Sequence, residues 1–215
     1  MVFRNQTGSV IRKVNRGAVA QPAEPSEDVV PPLDIAALVH HPSRRATLQD
    51  EAIMHWLANY NERSFAAAAD LVGGFQYIVP IYEADSVRGG PAAEIINACG
   101  LAALGNAKNA PDLLHAARVK QVKVLRHLNE QLQDPELAMS DSSLLTCLLL
   151  SSFENIMFDG PQSLVTSTAH LQGAFTLARM RGRSQFADDI GHALYVRLRG
   201  SMVGGYSNHR VSVLI

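Results

Sequence analysis

Cysteine is almost absent from this chain. Its two residues, Cys99 and Cys147, each sit inside an apolar helical pattern. A zinc cluster needs several closely spaced thiolates, so these two cannot build one, and no metal or other cofactor is expected. They read as small buried hydrophobes of a reducing compartment. Aromatic residues are also few, at 6%. The apolar content is carried by Leu, Ala, Val and Ile, and the strongest segments lean on Leu and Ala, which favour helix over strand. An excess of one charge is missing as well. The formal net charge is -1, which gives no global electrostatic reason to expect nucleic acid or a membrane surface as partner.

Long apolar runs are lacking too. The most apolar stretch, Leu144 to Leu150, is far below the roughly 20 residues that cross a bilayer. The opening MVFRNQTGSV is too polar for a secretory signal, so the Asn5-Gln6-Thr7 glycosylation pattern is expected to stay idle. The nucleophile elbow, the P-loop, the GxGxxG loop, the HExxH helix and the EF-hand loop are all absent, and no enzyme activity is expected.

What remains is a helical chain. With 215 residues, 47% hydrophobic and 18% charged, it has the length and composition for one core plus a tail. Residues 1–32 read as a flexible linker. The first half is basic, with room for a short helix near 9–15. QPAEPSEDVVPP then carries four prolines and no periodicity. A helical domain is expected over 33–203 and an irregular tail over 204–215. A short helix is predicted from Leu33 to His40, ended by Pro42, and a second from Arg44 to Tyr60 with Ala46, Ile53, Leu57 and Tyr60 on its face and Trp56 beside them.

Gly89-Gly90-Pro91 is a turn signal. A helix from Ala92 to Gly105 carries small residues suited to close packing, among them Ala98, Gly100 and Ala102. Pro111 opens a helix to Leu132. Ser140 or Asp141 caps the next, whose centre LLTCLLL is apolar all round and therefore buried on every side. Gly160-Pro161 starts another, with Leu164, Thr168, Leu171, Phe175 and Ala178 as its apolar stripe and Gly182 as its stop. A last helix is predicted over 184–199. The architecture expected is all-α: a helical bundle or stack of helical hairpins with six or seven helices.

Candidate chemistry is thin. His40 and His41 read as a cationic cap at a helix end. Glu51 and His55 share a helix face and read as a side-chain pair. His115 and His127 are too far apart on their helix to share a metal. Arg179, Arg181 and Arg183 read as helix capping and a solvated turn, and Arg118, Lys120, Lys123 and Arg126 as solvated cations. Glu154 closes the buried helix and needs a partner, with Arg181 one candidate.

Three segments point further. SDSSLLTCLLLSSFENI (Ser140 to Ile156) resembles a phrase of the fungal zinc-cluster transcription factors: an aspartate, a leucine-rich helix, then Phe-Glu. TSTAHLQGAFTLARMRG (Thr166 to Gly182) is similar to the next element of that family, a His-Leu-x-Gly-Ala core running to Arg-Gly. Ala116 to Asp134 resembles the helix before both. The positions that match are Asp141, Phe153, Glu154, His170, Gly173, Ala174, Arg181 and Gly182, and all read as packing positions. Gly173 is expected to allow close helix approach. The resemblance covers about Glu51 to Arg199, and VFRNQTGSVIRKV looks like the junction after a zinc cluster whose six cysteines this sequence does not contain.

The resemblance implies a nuclear regulatory domain of a transcription factor, without its DNA-binding module and shorter than the family's region; apart from the resemblance a cytoplasmic location is expected. Its implied partners are a full-length regulator or the transcription machinery. It implies no sequence-specific nucleic-acid contact by itself, no membrane, and a small-molecule effector only at a site the sequence does not locate. The alternative is a helical protein-interaction module, or a fragment of a longer regulator without function of its own.

Overall fold

The computed structural model describes residues 47–61 and 77–211, with side chains described for 47–60 and 77–201. The predicted linker, the helix at 33–40 and the His40-His41 pair lie outside these residues. The first described helix, α1 (Leu48–Trp56), is set by a capping box: Thr47 Oγ1 accepts from the Asp50 amide at 3.2 Å, and Asp50 Oδ2 accepts from the Thr47 amide at 2.8 Å. A π-helical turn, Leu57–Asn61, continues it. Ala52, Ile53, Trp56 and Leu57 face the core, whereas Tyr60 is exposed.

The second helix, α2 (Ile78–Arg88), stops at Gly89, whose φ of 68° is the left-handed region that favours glycine. Gly90 is the N-cap of the third, α3 (Pro91–Lys108), with Pro91 at the first turn, so the predicted turn holds. Helix α4 spans Pro111–Gln131 and α5 is the single turn Pro135–Ala138. Ser140 caps α6 (Asp141–Ile156) through its side chain, which accepts from the Ser143 amide. Helix α7 spans Pro161–Arg181; a 3₁₀ turn, Gly182–Phe186, then leads into α8 (Asp189–Val211).

The described residues are thus all-α, with eight helices and no strand among them, against the six or seven expected. Helices α2 and α5 are the additions. The last helix begins later and runs further than 184–199.

Helices α3 and α6 form the centre. Helix α3 packs on α1, α2, α4 and α6; helix α6 packs on α3, α4, α7 and α8. The short links Asn109-Ala110 and Met157 to Gly160 make α3/α4 and α6/α7 two antiparallel hairpins, the stacked arrangement that the sequence predicts. Leu144 to Leu150 are buried without exception, as an apolar-all-round helix requires.

The small residues of α3 bring the chains close. A Cβ on Gly100 would lie 2.9 Å from the Ala52 carbonyl carbon, so α1 lies directly against the backbone of α3.

Helix α7 buries only part of its apolar stripe, Ala178 fully and Leu171 in part. Its core contacts are Ser163, Ser167, Ala174, Leu177 and Ala178, while Leu164, Thr168 and Phe175 of the expected stripe are exposed and Leu171 is half-buried. The Ser151 and Ser167 hydroxyls are 2.8 Å apart, and Ser167 Oγ also donates to the Ser151 carbonyl. The two serines let α6 and α7 approach closely at this point, and Leu164 and Phe175 stand to the side of it.

Candidate functional site

The positions matched by the resemblance are distributed along the α6/α7 hairpin, and several form cross-ties. At one end, Arg181 Nη2 donates to Asp141 Oδ1 at 2.5 Å, joining the end of α7 to the start of α6. Arg181 is therefore not the partner of Glu154. The two carboxylates of α6 are thirteen residues apart, about 20 Å along the axis.

Glu154 finds its partners on α4. Gln121 Nε2 donates to Glu154 Oε1, and Arg118 Nη1 stands 3.6 Å from Oε2. Arg118 also donates to the Gln121 side chain and to the Met157 carbonyl, both at 3.1 Å, and its guanidinium lies over the Phe153 ring at 5.5 Å. Expected in solvent, Arg118 is instead half-buried over the end of α6, because a carbonyl, a carboxylate and a ring face converge there.

Gly173 does not mediate a close approach: a Cβ there would meet nothing within 4 Å. Ala174 beside it is buried against the core. Gly182 has a φ of 57° and closes α7, its amide donating to the Ala178 carbonyl, as its stop position predicts. His170 is largely buried with no hydrogen-bond partner for Nε2 among the described residues, and desolvation lowers its pKa from 6.5 to about 4.

The arginine cluster divides. Arg181 turns inward, and Arg179 and Arg183 remain exposed. Glu51 does not pair with His55; its carboxylate meets Lys108 Nζ at 2.6 Å, and His55 Nδ1 faces the Asn59 amide at 3.4 Å.

Asp85 is a buried junction that sequence reasoning missed. Its Oδ2 accepts from the Ala92 amide at 2.8 Å and from Ser142 Oγ at 2.6 Å, so one carboxylate caps α3 and ties it to α6. The signal was an acidic residue seven positions before the amide of Ala92, beyond the three-residue reach of a capping box. Asp85→Ala should lower unfolding free energy by about 1–2 kcal/mol, the usual cost of a lost cap, read as a fall in the urea midpoint.

Gly90 completes this junction. A Cβ there would overlap the Asp85 carboxylate.

No group of three or more His, Cys, Asp or Glu residues is placed to hold a metal among the described residues. Both thiols are buried. Burial pushes Cys147 up to about 12 and Cys99 upward too, the latter donating to the Leu149 carbonyl at 3.7 Å. An open cleft of about 170 Å³ is lined by Trp56, Tyr60, Ser152, Asn155, Ile156 and Arg197. That is less than the roughly 300 Å³ at which ligand pockets usually begin. No helix of the described residues is long and apolar enough to cross a membrane.

The fold and these ties define an all-α domain of stacked hairpins whose inward-facing polar residues join helix to helix. The chain matches no protein-family model, no curated protein and no solved structure.

Proposed function

We propose that this chain is a regulatory-type helical domain of the kind found in fungal zinc-cluster transcription factors, working in the nucleus through contacts with other proteins. It is not an enzyme and does not read DNA sequence with these residues. What supports the reading is the position of the motif residues. Asp141 and Arg181, and Phe153 and Glu154 with Arg118 and Gln121, are the polar ties that fix α4, α6 and α7 as one unit. A phrase kept for packing would put its polar residues at such ties.

The test is a reporter assay with the chain fused to an unrelated DNA-binding module. The fusion should change reporter output, and Asp141→Ala should abolish the change. The chain alone, titrated against a random duplex library, should enrich no motif, since base readout needs an element seated in a groove. An inert fusion, or enrichment of one sequence, would refute the proposal. The second reading, an interaction module with no transcriptional role, draws on the exposed apolar residues of α7.

A further inference from the structure

Helix α7 has an outer surface unlike that of an ordinary surface helix. From Gly160 to Ala178 it contains no Asp, Glu, Lys or Arg, although a helix with one face in water normally carries charge there. Leu164 is 41% exposed, Val165 59% and Phe175 40%. Leu164, Thr168, Leu171 and Phe175 form one stripe, starting at the margin of the core where Leu171 is half-buried.

The spacing of that stripe is four, three, four residues. It reads the same in both directions about a point between Ala169 and His170. A second α7 laid antiparallel on that centre sets Leu164 of each copy against Phe175 of the other, and Thr168 against Leu171. Such a two-fold contact presents the same surface from both copies, as an isologous interface requires.

Charge selects the same register. Asp159 stands just before the helix and Arg179 in its last turn. The antiparallel pairing brings Asp159 of each copy to within one residue of the other's Arg179, at both ends of the contact. Parallel pairing would instead set Arg179 against Arg179. The helix dipoles are also opposed in the antiparallel arrangement.

We infer that a second copy of this chain covers the outer flank of α7, the two helices running antiparallel about the point between Ala169 and His170. The helix is about 31 Å long, enough for four turns of contact. The inference goes beyond the regulatory reading above and stands apart from it.

The experiment is sedimentation equilibrium of the full chain over roughly 1–100 µM, the range in which a modest interface dissociates. The wild type should pass from monomer to dimer. Phe175→Glu should raise the dissociation constant more than about tenfold while leaving in place the melting curve taken at a concentration where the chain is monomeric, because this ring stands at the surface. Asp159→Arg and Arg179→Asp should each weaken the dimer, and the double exchange should restore it.

Cysteine trapping fixes the geometry independently. Thr168→Cys should form a disulfide-linked dimer. Leu164→Cys should not cross-link to itself, since the two sites lie eleven residues of helix apart, about 16 Å. A chain monomeric throughout the range, an unchanged dissociation constant for Phe175→Glu, or self-cross-linking of Leu164→Cys would overturn the inference. So would a strictly monomeric chain in which Leu164→Cys resists thiol labelling, since another part of the chain would then cover the stripe.

Discussion

Leu148→Ala lowers the unfolding free energy by about 2–5 kcal/mol, the sum of lost transfer energy and the cavity left behind. Leu148 is 2% exposed and lies midway along α6, the helix packed on α3, α4, α7 and α8. Its neighbours from Leu144 to Leu150 are all buried, so little room exists for side chains to collapse into the gap. Equilibrium urea unfolding reads the effect as a lower midpoint at unchanged slope. Leu164→Ala on the exposed flank of α7 serves as the comparison and should change stability by less than about 0.5 kcal/mol under conditions where the chain is monomeric. An unchanged midpoint for Leu148→Ala would show that α6 is not the core.

The contrast between these two leucines marks what the sequence disclosed. Where a helix is apolar on every side, burial follows from composition alone, and α6 was legible. Gly89-Gly90-Pro91 and Gly160-Pro161 were legible for a different reason: backbone conformations of positive φ and helix starts without an amide donor restrict the residue type strongly. Helix α7 shows where the inference fails. Apolar periodicity finds the large side chains, but a close helix contact is made by small ones. Ser163, Ser167 and Ala174 are small and give little apolar signal of their own, so the stripe that periodicity picks out takes in Leu164 and Phe175, which stay exposed. In α3 the small residues themselves were the signal, and one of them, Gly100, meets α1 directly.

The polar ties were less legible than the helices. That Glu154 needs a partner follows from its place at the end of an apolar helix; which partner it takes does not. Arg118 and Arg181 carry the same charge, and only the register of α4 and α7 against α6 decides that the first reaches Glu154 and the second Asp141. Asp85 lay outside any local capping pattern because its partners, Ala92 and Ser142, are brought to it by a turn and by another helix. The largely buried His170 was recognised as a motif position. Its depressed basicity depends on how completely α7 withdraws it from water.

That basicity makes His170 the source of an acid sensitivity. In the unfolded chain its imidazole takes up a proton near 6.5, and in the folded chain near about 4, because burial disfavours the charged ring. Between those values the unfolded state binds more protons, so falling pH draws the equilibrium toward it. The contribution of His170 to stability is therefore full above about pH 6.5 and declines as pH falls, levelling off below about 4. Its total size is on the order of 3 kcal/mol. His170→Leu removes the titrating group while keeping an apolar body in its place, and Nε2 has no hydrogen bond to lose among the described residues. The variant should match or exceed the wild type in stability near pH 5 and show a flatter dependence of unfolding free energy on pH between 6.5 and 5, above the range where most carboxylates titrate. Urea unfolding at four pH values gives both slopes. Equal slopes would mean that His170 keeps its ordinary proton affinity in the folded chain, and that α7 leaves its ring in contact with water.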